Sequence, residues 1–337
     1  MEFLPVSPES LSMAAKVLRS GGIVAFPTET VYGLGADAYN SAALVKVFEA
    51  KGRPRFDPLI IHIADARTLE DVGDLSLLSE EARGKLLTLV ENFWPGPLSL
   101  VLPKSGKIPG IATAGLSTAA IRFPSHEAAQ KLISLSGGAV AAPSANPFGA
   151  LSPTRAQHVR DTLGEKVDVI LDGGPARIGV ESTVLDITGG GIKILRHGGA
   201  PKEAIEKLVG PVQDASFAEG DTAGGLASPG QLRSHYAPRA QLSVFNREDI
   251  IRLPFETDAA YLFFDDSSRD AWLAEHGNAR NATVRVLSAA GNVSEAAACL
   301  FETLHELDFK VSRIFAQLAP QQGLGAAIND RLRRAGS

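Results

Sequence analysis

The chain has 337 residues, of which 45% are hydrophobic and 21% are charged, and its net charge is −5. This length predicts two domains with separate cores, and the acidic balance argues against nucleic-acid binding as the main role, although a local basic groove stays open. No apolar run approaches the roughly 20 residues of a membrane span, the N-terminus does not resemble a signal peptide, and Cys299 is the single cysteine, so we expect a cytoplasmic protein without membrane association.

The first 209 residues alternate between helix and strand patterns, which predicts an α/β domain. A helix is expected from Pro8 to a stop at Gly21-Gly22, and a second one over 41–50. Short apolar runs predict the strands, and the last two form a hairpin around Gly189 to Gly191. These runs cover 23–26, 59–63, 98–102, 119–123, 139–142, 167–171, 183–187 and 192–195.

Residues 210–240 differ in composition, because Gly, Ser, Ala and Pro dominate and apolar periodicity is lost. The stretch predicts a linker, and Arg233, His235 and Tyr236 within it favour a functional lid over a passive spacer. From 241 to 337 strands alternate with helices again, which predicts a smaller Rossmann-like domain with a parallel sheet. This region has no G-x-G-x-x-G motif, so we do not interpret it as a dinucleotide-binding domain.

The segment Lys51-Gly52-Arg53-Pro54 holds two cations on a stiff loop, downstream of a hydroxyl- and glycine-rich turn over 28–35. An Arg side chain offers a planar fork of donors to phosphate, and Lys adds a compact charge. An alternative of at least equal weight, when the motif is taken alone, is that both cations are the solvated end of the helix over 41–50.

Short polar side chains follow several predicted strands. Ser144 and Asn146 come directly after the strand over 139–142, at the position where α/β domains usually bind ligands, and Ser152 follows soon after. Ser182 and Arg196 flank the last hairpin. Helix capping and turn formation explain any one of these residues at least as well.

Arg122 is a charge inside an otherwise apolar strand, so it needs an anionic partner. That partner is either a protein carboxylate or, by a slight preference, a ligand carboxylate. His62 also lies in an apolar strand and is by itself more typical of a core histidine. The seven histidines have no metal-ligand spacing, and neither G-x-S-x-G nor a P-loop motif occurs.

Taken in order, these motifs resemble those of the YrdC/Sua5 family. The motifs are Thr28 to Gly35, Lys51-Gly52-Arg53-Pro54, Ser144-Ala145-Asn146, Ser152-Pro153-Thr154 and Glu181-Ser182-Thr183-Val184. The resemblance implies a YrdC-like domain over 1–209, with a twisted mixed sheet, helices and a concave cavity. It also implies the family's linker over 210–240 and the Sua5 C-terminal domain over 241–337.

The family's implied activity is that of an L-threonylcarbamoyladenylate synthase, a nucleotidyltransferase. It condenses L-threonine, bicarbonate or CO2, and ATP into threonylcarbamoyl-AMP and pyrophosphate. The product feeds the threonylcarbamoyladenosine (t6A) modification of tRNA through a downstream tRNA threonylcarbamoyltransferase complex. Whether the chain itself binds tRNA stays open.

The resemblance also implies residue roles. Lys51 and Arg53 are expected to be catalytic. Threonine is expected to contact Thr30, His62, Arg122, Ser144 and Ser182. ATP is expected to contact Arg53, Asp57, Thr118, Asn146, Ser152, Arg196 and Tyr236. Mg²⁺ is expected to be carried by the ATP phosphates, with no certain protein ligand, and the linker is expected to fold over the cavity with Tyr236 as a gate.

One departure from the family pattern is Asp57-Pro58-Leu59, where the family usually has Asn-Pro-Leu. An ionised Asp only accepts hydrogen bonds and adds negative charge near phosphate. We expect Asp57 to face magnesium or to turn away, rather than to weaken ATP binding.

Two other functions stay open. A carbamoyl-adenylate-forming factor of the hydrogenase-maturation type uses a related domain, but this chain lacks the acylphosphatase and zinc-finger modules of such proteins. A double-stranded RNA-binding module is disfavoured by the net negative charge.

Overall fold

A computed structural model describes residues 1–215, 236–277 and 282–337. The chain divides into two compact units. Within the described residues, the first unit contains 1–148, 153–177 and 181–215, and the second contains 149–152, 178–180 and 236–337. Most of the predicted linker, and with it Arg233 and His235, lies outside the described residues, so the domain boundaries at 209 and 240 stay predictions.

The first unit is built on a mixed sheet of 11 strands. The strands are β1 (Glu2–Pro5), β2 (Val24–Phe26), β3 (Gly33–Asp37), β4 (Ile60–Ile63), β5 (Leu98–Pro103), β6 (Thr118–Arg122), β7 (Ala139–Ala141), β8 (Val169–Asp172), β9 (Thr183–Asp186), β10 (Lys193–Arg196) and β11 (Gln213–Asp214). Their order across the sheet is β1-β8-β2-β3-β7-β4-β6-β5-β9-β10-β11. The predicted hairpin is confirmed, because β9 and β10 pair antiparallel.

Helices connect these strands. They are α1 (Pro8–Arg19), α2 (Ser41–Lys51), α3 (Leu69–Val72), α4 (Glu80–Phe93), α5 (Glu127–Ser136), α6 (Ala156–Thr162) and α7 (Lys202–Val209). Short 3-10 helices cover Ala66–Thr68, Leu75–Leu77, Gly110–Thr113 and Gly164–Lys166.

Strand β3 corrects the prediction of a turn over 28–35, because only the first part of that stretch is a loop. Gly33 and Gly35 lie in the strand, which pairs with β2. A Cβ atom at Gly35 would lie 2.6 Å from a Val140 methyl group and 2.8 Å from the Phe26 ring. The glycines therefore allow neighbouring side chains to pack closely against this strand. In the sequence alone, the same glycines are typical of a turn.

The register of the central strands brings polar residues into one row. His62 on β4 lies opposite Arg122 on β6, and Arg122 lies opposite Ser99 on β5. Ser99 in turn lies opposite Val184 on β9. Because paired residues of neighbouring strands point to the same face of a sheet, these side chains share one face.

The second unit has a four-stranded sheet in the order β12-β15-β13-β14, and all its pairs are parallel. Its strands are β12 (Gln241–Phe245), β13 (Ala259–Phe263), β14 (Thr283–Val286) and β15 (Arg313–Gln317). Its helices are α8 (Asp266–Glu275), α9 (Val293–Leu307) and α10 (Gly325–Ala335), with a 3-10 helix over Arg247–Arg252. The predicted parallel sheet is confirmed. Tyr261, Phe263 and Trp272 form the centre of its aromatic core.

The sequence also predicts an amphipathic helix capped by Asn292 or Ser294, and α9 confirms it. Its predicted apolar positions are Val293, Ala297, Leu300, Phe301, Leu304 and Leu307. Asn292 caps it by accepting hydrogen bonds from the amides of Ser294 and Glu295, and Ala297, Leu300 and Leu304 are buried. Across the described residues, the helices are too short or too polar for any of them to span a membrane.

Gly198 lies where two backbone segments of the first unit approach each other. A Cβ atom there would be 2.3 Å from the Glu181 carbonyl oxygen and 2.4 Å from the Thr183 nitrogen. We expect Gly198→Ala to destabilise the protein by about 1–3 kcal/mol, because backbone atoms cannot rotate away as a side chain can. Gly190→Ala is the control, since a Cβ there meets nothing within 4 Å. Denaturant unfolding measures both, and equal stabilities would contradict the prediction.

Candidate functional site

Lys51 and Arg53 are buried, with exposed fractions of 4% and 7%, so the solvated-helix-end alternative is wrong. Helix α2 ends at Lys51, and Gly52 turns the chain in the left-handed conformation at φ 63°. Lys51 Nζ donates hydrogen bonds to the carbonyl oxygens of Ser144, at 2.6 Å, and Asn146. Burial, together with the nearby charge of Arg53, holds the pKa of Lys51 well below its usual range.

Arg53 is enclosed by its own loop. Its Nε donates to the Asp57 carbonyl at 3.0 Å, and its Nη2 donates to the Pro58 carbonyl at 2.8 Å. The same Nη2 lies 2.8 Å from Asp57 Oδ1. Burial raises the pKa of Asp57 despite the opposing charges of Arg53, Lys51 and Arg196. Asp57 thus lies against the guanidinium expected to meet phosphate, an arrangement that the sequence did not suggest.

Arg196 is a third cation close to Asp57, and we call Lys51, Arg53 and Arg196 the cation cluster. Arg196 donates to the Ser182 carbonyl through Nε at 3.1 Å and through Nη2 at 2.9 Å, and Nη2 also donates to Ser182 Oγ at 3.1 Å. Ser182 Oγ lies 2.8 Å from Ser99 Oγ. Ser99 was not predicted, although a lone hydroxyl in the apolar run Leu98 to Leu102 was a usable signal. Through Ser99 the cluster reaches the row that contains Arg122.

Arg122 has a protein partner, which sequence analysis considered the slightly less favoured alternative. Its Nη2 lies 2.7 Å from Glu29 Oε1. Nη1 donates to Thr30 Oγ1 at 3.0 Å, and Nε donates to the Gly96 carbonyl at 3.2 Å. Burial by itself raises the pKa of Glu29, but the charge and hydrogen bonding of Arg122 outweigh it, so the pKa is lowered. Glu29 was missed, although it is an acid between two threonines in a glycine-rich stretch.

Proton counting defines what the Thr30 hydroxyl can still do. Thr28 Oγ1 donates to the Val31 carbonyl at 2.6 Å, so its single proton is used. The Thr30 hydroxyl lies 2.9 Å from Thr28 Oγ1, which also accepts from the amides of Thr30 and Val31. Since Arg122 donates to Thr30 Oγ1, this oxygen keeps one lone pair for a further donor.

His62 lies beside Arg122 in the sheet and edge-on to Phe26, with ring centroids 6.3 Å apart. Its Nδ1 is 3.1 Å from the Ile60 carbonyl, so Nδ1 carries the proton and Nε2 is an acceptor. Burial, followed by the charge of Arg122, lowers the pKa of His62 to about 3. The ring is therefore neutral at physiological pH.

The other predicted residues have separate surroundings. Asn146 is buried and its Nδ2 donates to the Pro147 carbonyl at 3.0 Å, while Ser144 forms an isolated bridge with Gly33. Thr118 is half-buried at the start of β6, and its contact with ATP stays a prediction.

Ser152 and Tyr236 belong to the second unit. The Ser152 carbonyl accepts a hydrogen bond from His305 Nε2 at 3.1 Å. Tyr236 has φ 65° and is buried, with its ring 5.8 Å from Phe301 and the Arg331 guanidinium 4.8 Å from its ring centre. The lid that was to carry Tyr236 lies mainly in 216–235, outside the described residues, so the gating role stays a prediction.

Within the first unit, hydrogen bonds link Lys51 to the segment 144–146 and Arg196 to Ser182, and the strand register places His62 and Arg122 in one row. Lys51, Arg53 and Arg196 supply the buried positive charge that phosphate groups require. Arg122, Thr30 and His62 supply a charge and hydrogen-bonding groups suited to a small polar ligand. Among the described side chains, no group of three or more His, Cys, Asp or Glu residues is assembled to hold a metal ion.

The low pKa of His62 generates a stability prediction. Between about pH 3 and pH 6.5 the unfolded chain binds a proton at this position and the folded chain does not, so this contribution to stability falls as pH falls. The variant His62→Gln lacks this pH-dependent contribution. We therefore expect the free energy of unfolding of the wild type, minus that of the variant, to fall by roughly 2 kcal/mol from pH 7 to pH 5 in urea unfolding. A difference that is constant with pH would contradict the buried neutral imidazole.

Two family profiles match nearly the whole chain. Residues 16–198 match Sua5_yciO_yrdC, described as "Telomere recombination", and residues 200–337 match the "Threonylcarbamoyl-AMP synthase, C-terminal domain". The chain is 42% identical to a threonylcarbamoyl-AMP synthase of Pyrococcus abyssi, over 96% of this chain and 93% of that protein. It is 41% identical to the one of Bacillus subtilis, over 98% of this chain and 94% of that protein.

Solved structures give the same result. The crystal structure of P. abyssi Sua5 complexed with L-threonine matches with a TM-score of 0.85 and 40% identity, covering 99% of this chain and 96% of that one. The mixed sheet and the separate parallel sheet thus follow a known architecture. On the strength of the profile matches and these relatives, the chain belongs to the YrdC/Sua5 family.

Proposed function

We propose that this protein is a threonylcarbamoyl-AMP synthase, an enzyme that joins L-threonine, bicarbonate or CO2, and ATP. The observation that carries the proposal is the arrangement around Ser182 and Ser99. On one side are the buried cations Arg196, Arg53 and Lys51, and on the other is Arg122 with its partners Glu29 and Thr30. The names of the relatives and the L-threonine in the P. abyssi structure support it.

The chemistry proceeds in two bond-forming steps. The amine nitrogen of threonine bonds to the carbon of CO2 and releases a proton, which gives a carbamate. A carbamate oxygen then bonds to the α-phosphorus of ATP as the bond to the β-phosphate oxygen breaks, and pyrophosphate leaves. Neither step needs a side-chain nucleophile, so the protein's task is to orient the substrates and to neutralise charge.

Lys51, Arg53 and Arg196 would neutralise the triphosphate and the departing pyrophosphate. Burial depresses the pKa of Lys51, and a phosphate placed beside it favours the charged ammonium again. The charged form of Lys51 would in turn bind the phosphates more strongly.

The remaining roles follow the family resemblance. Arg122 would bind the threonine carboxylate, with Thr30, His62, Ser144 and Ser182 around the rest of the molecule. Thr118 and Asn146 would complete the nucleotide site within the first unit, and Asp57 would lie beside it through its contact with Arg53. The expected ATP contacts of Ser152 and Tyr236 stay predictions. We propose that Mg²⁺ enters as part of the substrate MgATP. We further propose that the product passes, in the cytoplasm, to a tRNA threonylcarbamoyltransferase complex for t6A formation.

The carbamoyl-adenylate alternative is disfavoured by the C-terminal region. Residues 200–337 match the C-terminal domain profile of threonylcarbamoyl-AMP synthases, and full-length relatives carry that name. The double-stranded RNA-binding alternative has no specific observation in its favour.

The direct test is pyrophosphate release from MgATP, with and without L-threonine and bicarbonate. We expect release that depends on both and a product with the mass of threonylcarbamoyl-AMP. Release without threonine would indicate carbamoyl-adenylate chemistry or plain hydrolysis. Release without bicarbonate in CO2-free buffer would exclude the proposed carbamate.

The Asp57–Arg53 pair generates a further prediction. The Asp57 carboxylate competes with phosphate for Arg53, at 2.8 Å from Nη2, and repels the triphosphate. Asp57→Asn keeps an acceptor oxygen but removes the charge, so we expect the KM for MgATP to fall several-fold. The sequence alone predicted instead that Asp57 does not weaken ATP binding. Asp57→Ala is the matched control: it also removes the acceptor that orients Arg53, so it should raise that KM. An unchanged or higher KM in Asp57→Asn would contradict the competition.

A further inference from the structure

The Glu29–Arg122 ion pair joins the loop between β2 and β3 to strand β6, and both residues are almost fully buried. The two residues are 1% and 3% exposed. Glu29 Oε1 and Arg122 Nη2 form an ion pair at 2.7 Å, whereas Glu29 Oε2 makes no well-directed hydrogen bond within the described part of the chain. Buried polar atoms almost always have hydrogen-bond partners, so the unpartnered Oε2 calls for a further donor at this place.

The charges of the pair restrict which molecule supplies that donor. Arg122 alone would attract any carboxylate, but Glu29 lies beside it and repels one that has no compensating charge. A zwitterion satisfies both groups, with its carboxylate toward Arg122 and its ammonium toward Glu29. The lone pair left on Thr30 Oγ1 offers a second acceptor for the same ammonium.

We propose that Glu29 is the residue that binds the α-ammonium group of the amino-acid substrate, and that the Glu29–Arg122 pair selects zwitterionic α-amino acids over simple carboxylic acids. This inference rests on the proposed function, since it names one part of the proposed L-threonine site. The lowered pKa of Glu29 agrees with it, because the carboxylate remains ionised at neutral pH.

Glu29 keeps a partner through the reaction. The ammonium first gives one proton to water, because only the neutral amine has the lone pair that bonds to CO2, and a second proton passes to water as the C–N bond forms. The carbamate nitrogen then still carries one N–H, and Glu29 can accept that hydrogen bond. The negative charge gained by the substrate lies on the new carboxylate group, which is then drawn toward Lys51, Arg53 and Arg196. The ammonium subsite therefore fixes the end of the substrate from which the carbamate grows.

The competing explanation is that Glu29 only positions Arg122. The two are separated by comparing L-threonine with (R)-3-hydroxybutyrate, which is the same molecule without its amino group. Binding of each to the full-length protein is measured by isothermal titration or ligand-observed NMR, for wild type and for Glu29→Gln. We expect wild type to prefer L-threonine, and Glu29→Gln to bind L-threonine at least about 10-fold more weakly while binding hydroxybutyrate as well as, or better than, wild type.

Several outcomes would overturn the inference. They are an equal loss for both ligands, no loss for L-threonine, a wild type that binds the two equally well, and a variant that binds neither. Failure of wild type to bind L-threonine would instead count against the proposed function itself.

Two further variants keep the result interpretable. Glu80→Gln removes an exposed carboxylate of the same unit and should leave both affinities unchanged. If Glu29→Gln does not fold, Glu29→Asp keeps the charge on a shorter side chain, and it should retain the preference for L-threonine even where both affinities fall. Unaltered MgATP binding in either Glu29 variant confirms that the cation cluster is intact.

Discussion

Charge buried within a mostly apolar sheet is the constraint on which the first unit depends. Arg122 lies in the middle of the sheet, between β4 and β5, and removing a guanidinium from water is costly unless it is paired and hydrogen-bonded. The loop between β2 and β3 meets that need with Glu29 and Thr30, and the Gly96 carbonyl supplies the third partner. The position of this loop thus follows from the position of one charge.

A comparable logic governs the cation cluster. Lys51, Arg53 and Arg196 are all buried, and each uses backbone carbonyl groups as acceptors. Carbonyl groups satisfy donors without neutralising their charge. Acidic groups are also close, because Asp57 lies 2.8 Å from Arg53 and both Asp57 and Glu181 act on the charge of Lys51.

Much of the fold was predictable because apolar periodicity and turn residues determine local structure directly. The helices α1, α2 and α9, the final hairpin and the parallel sheet of the second unit were of this kind. Strand β3 was not predictable in this way, because Gly33 and Gly35 have low strand propensity. Glycine is needed there because Phe26 and Val140 pack closely against the strand. The residues of the site came from the family resemblance. Glu29 and Ser99 are visible in the sequence only as polar residues in unexpected surroundings, and their partners Arg122 and Ser182 become known once the neighbouring strands are known. Such pairings depend on residues far apart in the chain, and a single sequence does not encode them locally.

Lys51 has a second consequence that concerns how substitutions at this position are interpreted. Its ammonium group joins the C-terminal end of α2 to the segment just after β7, through the carbonyls of Ser144 and Asn146. The side chain is thus a tether between two parts of the chain as well as a charge. Loss of turnover after truncating Lys51 would combine a missing cation with a displaced Ser144–Asn146 segment. A kinetic effect at this position therefore measures the placement of the Ser144–Asn146 segment together with the loss of the cation.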